Sequence, residues 1–107
     1  MVEKKYFFII NPIAGNGRGL AAWKKIRNRL QEQNISYIHK YTFPDQKLNQ
    51  EMLLNSLDPN QIIVVLGGDG TINEILNILI DCHSQNPISY IACGSGNDFA
   101  RAISLPS

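Results

Sequence analysis

The sequence predicts an α/β fold in which a parallel sheet lies between two layers of helices. Short apolar runs such as "YFFII" and "IIVVL" alternate with longer stretches in which apolar residues recur every three or four positions. Continuous apolar runs are typical of strands buried on both faces of a parallel sheet, and alternating strands and helices are joined by right-handed crossovers. The 107 residues, of which 44% are hydrophobic and 18% charged, are enough for one globular domain. We therefore expect a three-layer, Rossmann-like α/β/α domain.

Four strands are predicted, in the order β-α-β-α-β-α-β-α. The apolar runs at residues 6–10, 62–66 and 88–92 predict strands in the buried part of the sheet. The run at residues 35–42 mixes polar and apolar side chains, which predicts a strand nearer the edge of the sheet.

The first two helices are predicted from periodicity and from a capping residue. Apolar residues share one face over about residues 18–33, and Trp23 belongs to that face, so we expect it in the core. Asp45 follows a proline and is expected to cap a second helix, which stops before residue 58.

The third helix is predicted to begin at Thr71, after the strand that ends in "GGDG". Thr71 and Glu74 have the spacing of a capping box, in which Glu74 would reach back to the cap, although Asp69 could cap the same helix instead. A fourth helix is expected from about Asn97 to just before Pro106.

All eight glycines lie in or directly beside three loops that follow predicted strands, at residues 11–17, 67–71 and 94–98. The carboxyl ends of parallel strands meet at one edge of a sheet, where ligands bind. Glycine allows backbone N–H groups to approach an anion closely, and the N-terminus of a helix favours negative charge. The loops therefore predict a phosphate site, although neither the dinucleotide fingerprint nor the P-loop motif is complete.

Asp69 is unusual at such a site because a bare carboxylate repels phosphate. Its presence is explained if Mg²⁺ lies between the two, directly or through water, or if Asp69 accepts a proton from an attacking hydroxyl.

Composition excludes several other classes of function. The net charge of +1 and pI of about 7.8 do not favour nucleic-acid binding. No apolar run approaches the ~20 residues of a membrane span, and the N-terminus lacks a secretory signal, so we expect a cytoplasmic protein. The two cysteines and two histidines lack metal-ligand spacing.

Three segments resemble the catalytic domain of the diacylglycerol kinase family, which includes bacterial lipid kinases and the related sphingosine and ceramide kinases. They are "IINPIAGNGRG", "GGDGTINEILNIL" and "GSGNDFARAI". The middle motif is shared with NAD kinases, whereas the flanking two favour lipid kinases. The resemblance covers residues 1–107 as the N-terminal nucleotide-binding domain of an NAD kinase/diacylglycerol kinase-like fold.

The resemblance implies ATP and Mg²⁺ as cofactors. Asp69 would be catalytic and would belong to the magnesium-linked network, and Asp98 matches a further acidic position. The residues implied to contact the nucleotide are Asn11, Pro12, Ile13, Ala14, Gly15, Thr42, Gly67, Gly68, Asp69, Gly70, Thr71, Ile72, Asn73, Glu74, Gly94 and Ser95.

The implied reaction transfers the γ-phosphoryl of ATP to a lipid hydroxyl. The expected substrate is diacylglycerol, which would be converted to phosphatidic acid at the inner membrane face. Family members carry a second, β-rich domain with the general base, so this chain alone is expected to be inactive. The sequence does not decide the oligomeric state, and a homodimer of the longer protein is compatible with it. Two alternatives stay open: an NAD or sugar kinase acting on soluble substrates, and a non-catalytic nucleotide-binding module.

Overall fold

A computed structural model describes residues 5–93 of the chain, and all structural statements concern these residues. The elements are β1 (Lys5–Ile10), α1 (Arg18–Glu32), β2 (Tyr37–Tyr41), α2 (Gln46–Ser56), β3 (Gln61–Gly67), α3 (Asp69–Asp81) and β4 (Ile88–Ala92). All pairings in the four-stranded sheet are parallel, and the strand order is β2-β1-β3-β4. The predicted α/β fold is confirmed, while the predicted fourth helix lies outside the described residues.

Alternate residues of the central strands enter two separate cores, one on each face of the sheet. Phe8 and Val64 pack with α1, whereas Phe7 and Ile63 pack with α2 and α3. Because helices cover both faces of the sheet, odd- and even-numbered strand residues are both shielded from water. The strands therefore appear in the sequence as unbroken apolar runs.

Trp23 lies in the core beneath α1, as the helical spacing predicts. It is fully buried, and its ring centroid lies 4.9 Å from that of Phe8. The indole N–H has no hydrogen-bond partner among the described residues, so the ring contributes through packing alone.

Strand β2 lies at the edge of the sheet, as its mixed composition predicts, but it is shorter than the predicted 35–42. The Ile35 N–H donates to the Leu30 carbonyl at 2.9 Å and so belongs to the turn that closes α1. The strand itself covers Tyr37–Tyr41, and none of these five side chains is fully buried.

The capping prediction is confirmed for α2 and wrong for α3. Asp45 caps α2 by accepting from the Lys47 N–H at 2.8 Å. Helix α3 begins at Asp69, two residues before the predicted start, and its capping residue, Gly68, makes no side-chain cap bond. Thr71 therefore lies within the first turn, and both Thr71 and Glu74 bond to other segments of the chain instead of to each other.

No helix among residues 5–93 is both long and apolar enough to cross a bilayer.

Candidate functional site

The chain leaves β1, β2 and β3 at one edge of the sheet, which we call the rim. Backbone pairing continues one residue past β1, β2 and β4: the Asn11 N–H donates to the Leu66 carbonyl at 2.9 Å, the Thr42 N–H to that of Ile10 at 2.8 Å, and the Cys93 N–H to that of Gly67 at 3.0 Å. The loops after the strands therefore start side by side, as the topology rule predicts. The third glycine loop begins after Cys93 and lies outside the described residues.

The first glycine loop folds tightly against the end of β4. Gly15 has a φ of +59°, and a Cβ at this position would lie 1.9 Å from the Cys93 carbonyl oxygen. No side chain fits there, so Gly15 serves the packing of the loop itself. The loop then enters α1 through a hydrogen bond from Arg18 N–H to the Gly15 carbonyl, at 3.2 Å.

Asn11 joins the first loop to the start of α3. Its Nδ2 donates to Thr71 Oγ1 at 2.8 Å, and its Oδ1 accepts from the Ile13 N–H at 3.2 Å. Because Thr71 Oγ1 is the acceptor in this bond, its own proton stays available to a ligand oxygen. Two residues that the resemblance assigns to the nucleotide thus also hold each other in place.

The N-terminus of α3 opens onto the rim. The first backbone bond of the helix runs from the Ile72 N–H to the Gly68 carbonyl at 3.0 Å, so the N–H groups before it have no partner within the helix. A Cβ built on Gly68 or Gly70 would meet nothing within 4 Å. Free donors, the helix dipole and open space together make this a suitable place for an anion.

Asp69 is the first residue of α3 and is exposed. Its carboxylate makes no hydrogen bond or ion pair to another described residue, so it is free to act on a ligand. Residues 5–93 contain no group of three or more His, Cys, Asp or Glu side chains that could hold a metal ion. A cation at Asp69 would therefore need most of its ligands from bound phosphate and water.

A cavity of about 140 Å³ lies between the first loop and the end of β2. Its walls are Asn11, Pro12, Ile13, Thr42, Phe43 and Pro44. Ile13 and Phe43 are 75% and 45% exposed, so two large apolar side chains are accessible at the cavity. Phe43 and Pro44 were missed by sequence reasoning, although their place directly after a parallel strand was an available signal.

Glu74, by contrast, contacts helix α2. Its Oε2 accepts from Asn49 Nδ2 at 2.5 Å, and the same Asn49 amide bonds to both the N–H and the carbonyl of Phe43. Sequence reasoning also missed Asn49, because a single asparagine within a helix carries no pattern.

The other predicted site residues are distributed unevenly around the rim. The side chains of Ala14 and Ile72 are buried in the two cores, so only their main chains are available to a ligand. Asn73 is exposed. Gly94 and Ser95 lie outside the described residues.

Cys93 is a buried thiol at the rim. Burial raises the pKa of this thiol, and hydrogen bonding of the sulfur with the Gly67 backbone offsets the effect only in part. Cys93 is therefore protonated near neutral pH and is unsuited to act as a nucleophile.

Comparison with known proteins identifies relatives across this region. The family model described as "Diacylglycerol kinase catalytic domain" matches residues 5–107. The Bacillus subtilis protein named "Putative lipid kinase YtlR" is 33% identical over 94% of this chain and 33% of its own length. A B. subtilis "Diacylglycerol kinase" is 44% identical over 42% of this chain and 15% of its own length.

A solved structure has the same fold. The crystal structure titled "a putative diacylglycerol kinase from Bacillus anthracis str. Sterne" matches with a TM-score of 0.65 and 30% identity, over 94% of this chain and 37% of that one. The chain thus spans about a third of the length of the B. subtilis lipid kinase and of the B. anthracis protein.

Proposed function

The chain belongs to the diacylglycerol kinase catalytic-domain family, and from that membership we propose that it is the ATP-binding part of a lipid kinase. The observation that carries the proposal is the rim, where an apolar cavity of about 140 Å³ and the open N-terminus of α3 adjoin the same loop. An adenine nucleotide needs both features, because its base is flat and largely apolar while its triphosphate is anionic.

In the proposed arrangement the base occupies the cavity beside Thr42 and Phe43. The triphosphate runs past the first glycine loop to the N–H groups at the start of α3. The Asn11–Thr71 hydrogen bond supports this path because it ties the loop to the helix and leaves the Thr71 proton free.

The residues present fit a magnesium ion that is bound jointly with phosphate. Mg²⁺ is commonly held by one or two carboxylates plus substrate phosphates, and Asp69 supplies one exposed carboxylate at the helix N-terminus. When bound, the ion would neutralise charge on the phosphates. Asp69 would hold it directly or through water.

Phosphoryl transfer depends mainly on positioning and on charge neutralisation, which is what this half of the site offers. We assign the acceptor to a lipid hydroxyl, with diacylglycerol as the leading substrate because B. subtilis relatives carry lipid kinase and diacylglycerol kinase names. The general base, the lipid site, the approach to the inner membrane face from the cytoplasm and any homodimer contact belong, in this proposal, to the longer protein.

The test is a titration of the chain with Mg²⁺ and ATP, followed by amide NMR. Saturable shifts are expected at Ile13, Thr42 and the first turn of α3, with none at Ser84 near the opposite edge of the sheet. Asp69→Asn is expected to reduce the gain in ATP affinity that Mg²⁺ provides. Without ligand, the variant should still give the NMR spectrum of a folded chain. An absence of shifts at millimolar ATP would overturn the proposal.

A second measurement concerns turnover. Mixed with Mg²⁺, ATP and vesicles containing diacylglycerol, these 107 residues are expected to form little phosphatidic acid, because they span only about a third of the B. subtilis lipid kinase and of the B. anthracis protein. Robust turnover would show that the whole site lies within this chain.

A further inference from the structure

We propose that Asn49 is a positioning residue for the nucleotide base: Glu74 orients its amide, and the amide fixes the Phe43 main chain that forms one wall of the cavity. This inference rests on the proposed function, since it assigns the cavity to an adenine nucleotide.

The Asn49 amide replaces a missing strand partner for Phe43. Its Oδ1 accepts from the Phe43 N–H at 2.7 Å, and its Nδ2 donates to the Phe43 carbonyl at 2.9 Å. Phe43 lies just beyond the edge strand β2, where no further strand pairs with it. Asn49 is only 1% exposed, so its amide is shielded from water, and these two bonds anchor the Phe43 main chain.

Glu74 reinforces the direction in which the Asn49 amide points. The Asn49 Nδ2 group has two hydrogens, one directed to the Phe43 carbonyl and the other to Glu74 Oε2 at 2.5 Å. Rotating the amide by 180° would place its oxygen against both of these oxygen atoms. The carboxylate therefore holds Asn49 in the orientation that pairs with Phe43, through a charge-assisted hydrogen bond.

The same contact connects the two parts of the site. Glu74 is on α3, whose first turn is the proposed phosphate site, and Asn49 is on α2, which follows the cavity wall. Because its carboxylate contacts α2, the geometry assigns Glu74 a role through Asn49, which differs from the direct nucleotide contact that family resemblance implies.

The network is separate from the bonds that hold the phosphate loops. Those loops depend on Asn11, which bonds to Thr71 and to Leu66. Loss of Asn49 should therefore loosen the base pocket and leave the phosphate site intact, which predicts a selective loss of affinity for the nucleoside part of the ligand.

The experiment compares two probes, Mg²⁺ with ATP and Mg²⁺ with inorganic tripolyphosphate, by calorimetry on the chain and on Asn49→Ala. The variant is expected to bind ATP about tenfold more weakly, equivalent to about 1.4 kcal/mol, while its affinity for tripolyphosphate changes less than about twofold. Asn55→Ala is the matched control, because Asn55 is an exposed asparagine on the same helix. Equal ATP affinity in a folded Asn49→Ala chain would overturn the inference.

Variants of Glu74 provide a second test, which does not require the replacement of a buried residue. Glu74→Ala should weaken ATP binding as Asn49→Ala does, whereas Glu74→Gln keeps an acceptor oxygen and should retain most of the affinity. If Glu74 acts through Asn49, the double alanine variant should be no weaker than the weaker single variant. If the fold loss of ATP affinity in the double variant equals the product of the two single losses, Glu74 acts on the ligand independently of Asn49.

The outcomes separate this inference from the proposed function. If the unmodified chain binds neither probe, both proposals fail. If it binds ATP and every variant of Asn49 and Glu74 binds it equally well, the proposed function stands and the positioning role is refuted.

Discussion

Replacing Gly67 with alanine tests how closely β3 and α3 meet at the rim. Gly67 is the buried last residue of β3, and a Cβ built on it would lie 2.8 Å from Thr71 Cβ and 2.9 Å from Thr71 Cγ2. Carbon atoms normally pack at about 3.5–4.0 Å, so Thr71 must move. Overpacking of this kind costs about 1–3 kcal/mol, and displacement of Thr71 also weakens its bond from Asn11, worth about 1 kcal/mol.

Alanine also makes the unfolded chain less flexible than glycine does, which lowers the entropy lost on folding and offsets about 0.4–1 kcal/mol of this cost. The net loss is therefore about 2 kcal/mol, which for a domain of this size lowers Tm by about 8–16 °C. Thermal unfolding followed by far-ultraviolet circular dichroism measures the change in Tm, and urea unfolding gives the free energy of unfolding independently.

Gly68→Ala is the matched control, one residue later. Gly68 has a φ of −83°, which any residue adopts, and its added Cβ would meet nothing within 4 Å. We expect its stability to change by less than about 1 kcal/mol, while the methyl group obstructs phosphate and weakens ATP binding. If Gly67→Ala proves as stable as Gly68→Ala, the close approach of strand and helix is incorrect.

Two further predictions follow from the titratable groups. Burial raises the pKa of Cys93, so iodoacetamide at pH 8 should modify the partly exposed Cys82 well before Cys93, and equal rates measured by mass spectrometry would contradict its burial. Burial, together with the charges of Arg27 and Lys40, lowers the pKa of His39 below its ordinary value of 6.5, so the unfolded chain binds the proton more readily. Its contribution to stability is therefore complete above about pH 6.5 and is lost as the pH falls towards the folded-state pKa. In urea unfolding between pH 5 and 8, His39→Gln should reduce the dependence of stability on pH, and an unchanged dependence would refute this role.

The predictions that held depend on interactions within one segment or on a general rule of topology. The Asp45 cap involves a hydrogen bond to a residue only two positions away, so local pattern is enough to identify it. The position of the rim follows from parallel strands alone. The capping box at Thr71 and Glu74 fits the local pattern equally well, yet it is wrong, because competing partners lie far away in the sequence.

Those partners decide the details of the site. Asn11 reaches Thr71 across 60 positions, and Asn49 reaches Glu74 across 25, so no short pattern contains either pair. The cavity has a similar origin, since its walls come from the loops after β1 and β2 and exist only when those strands lie side by side.

Periodicity was sufficient to predict the order of the described strands and helices, because it involves residues that lie close together in the chain. The topology rule for alternating strands and helices then predicted the parallel sheet and the edge at which its strands end. The separate roles of the glycines were decided only in the folded molecule. Gly15 meets the Cys93 carbonyl and Gly67 meets Thr71, whereas Gly68 faces open space where a ligand can approach. The three are chemically identical, and the distances that distinguish them are set by how the strands, loops and helices pack around them.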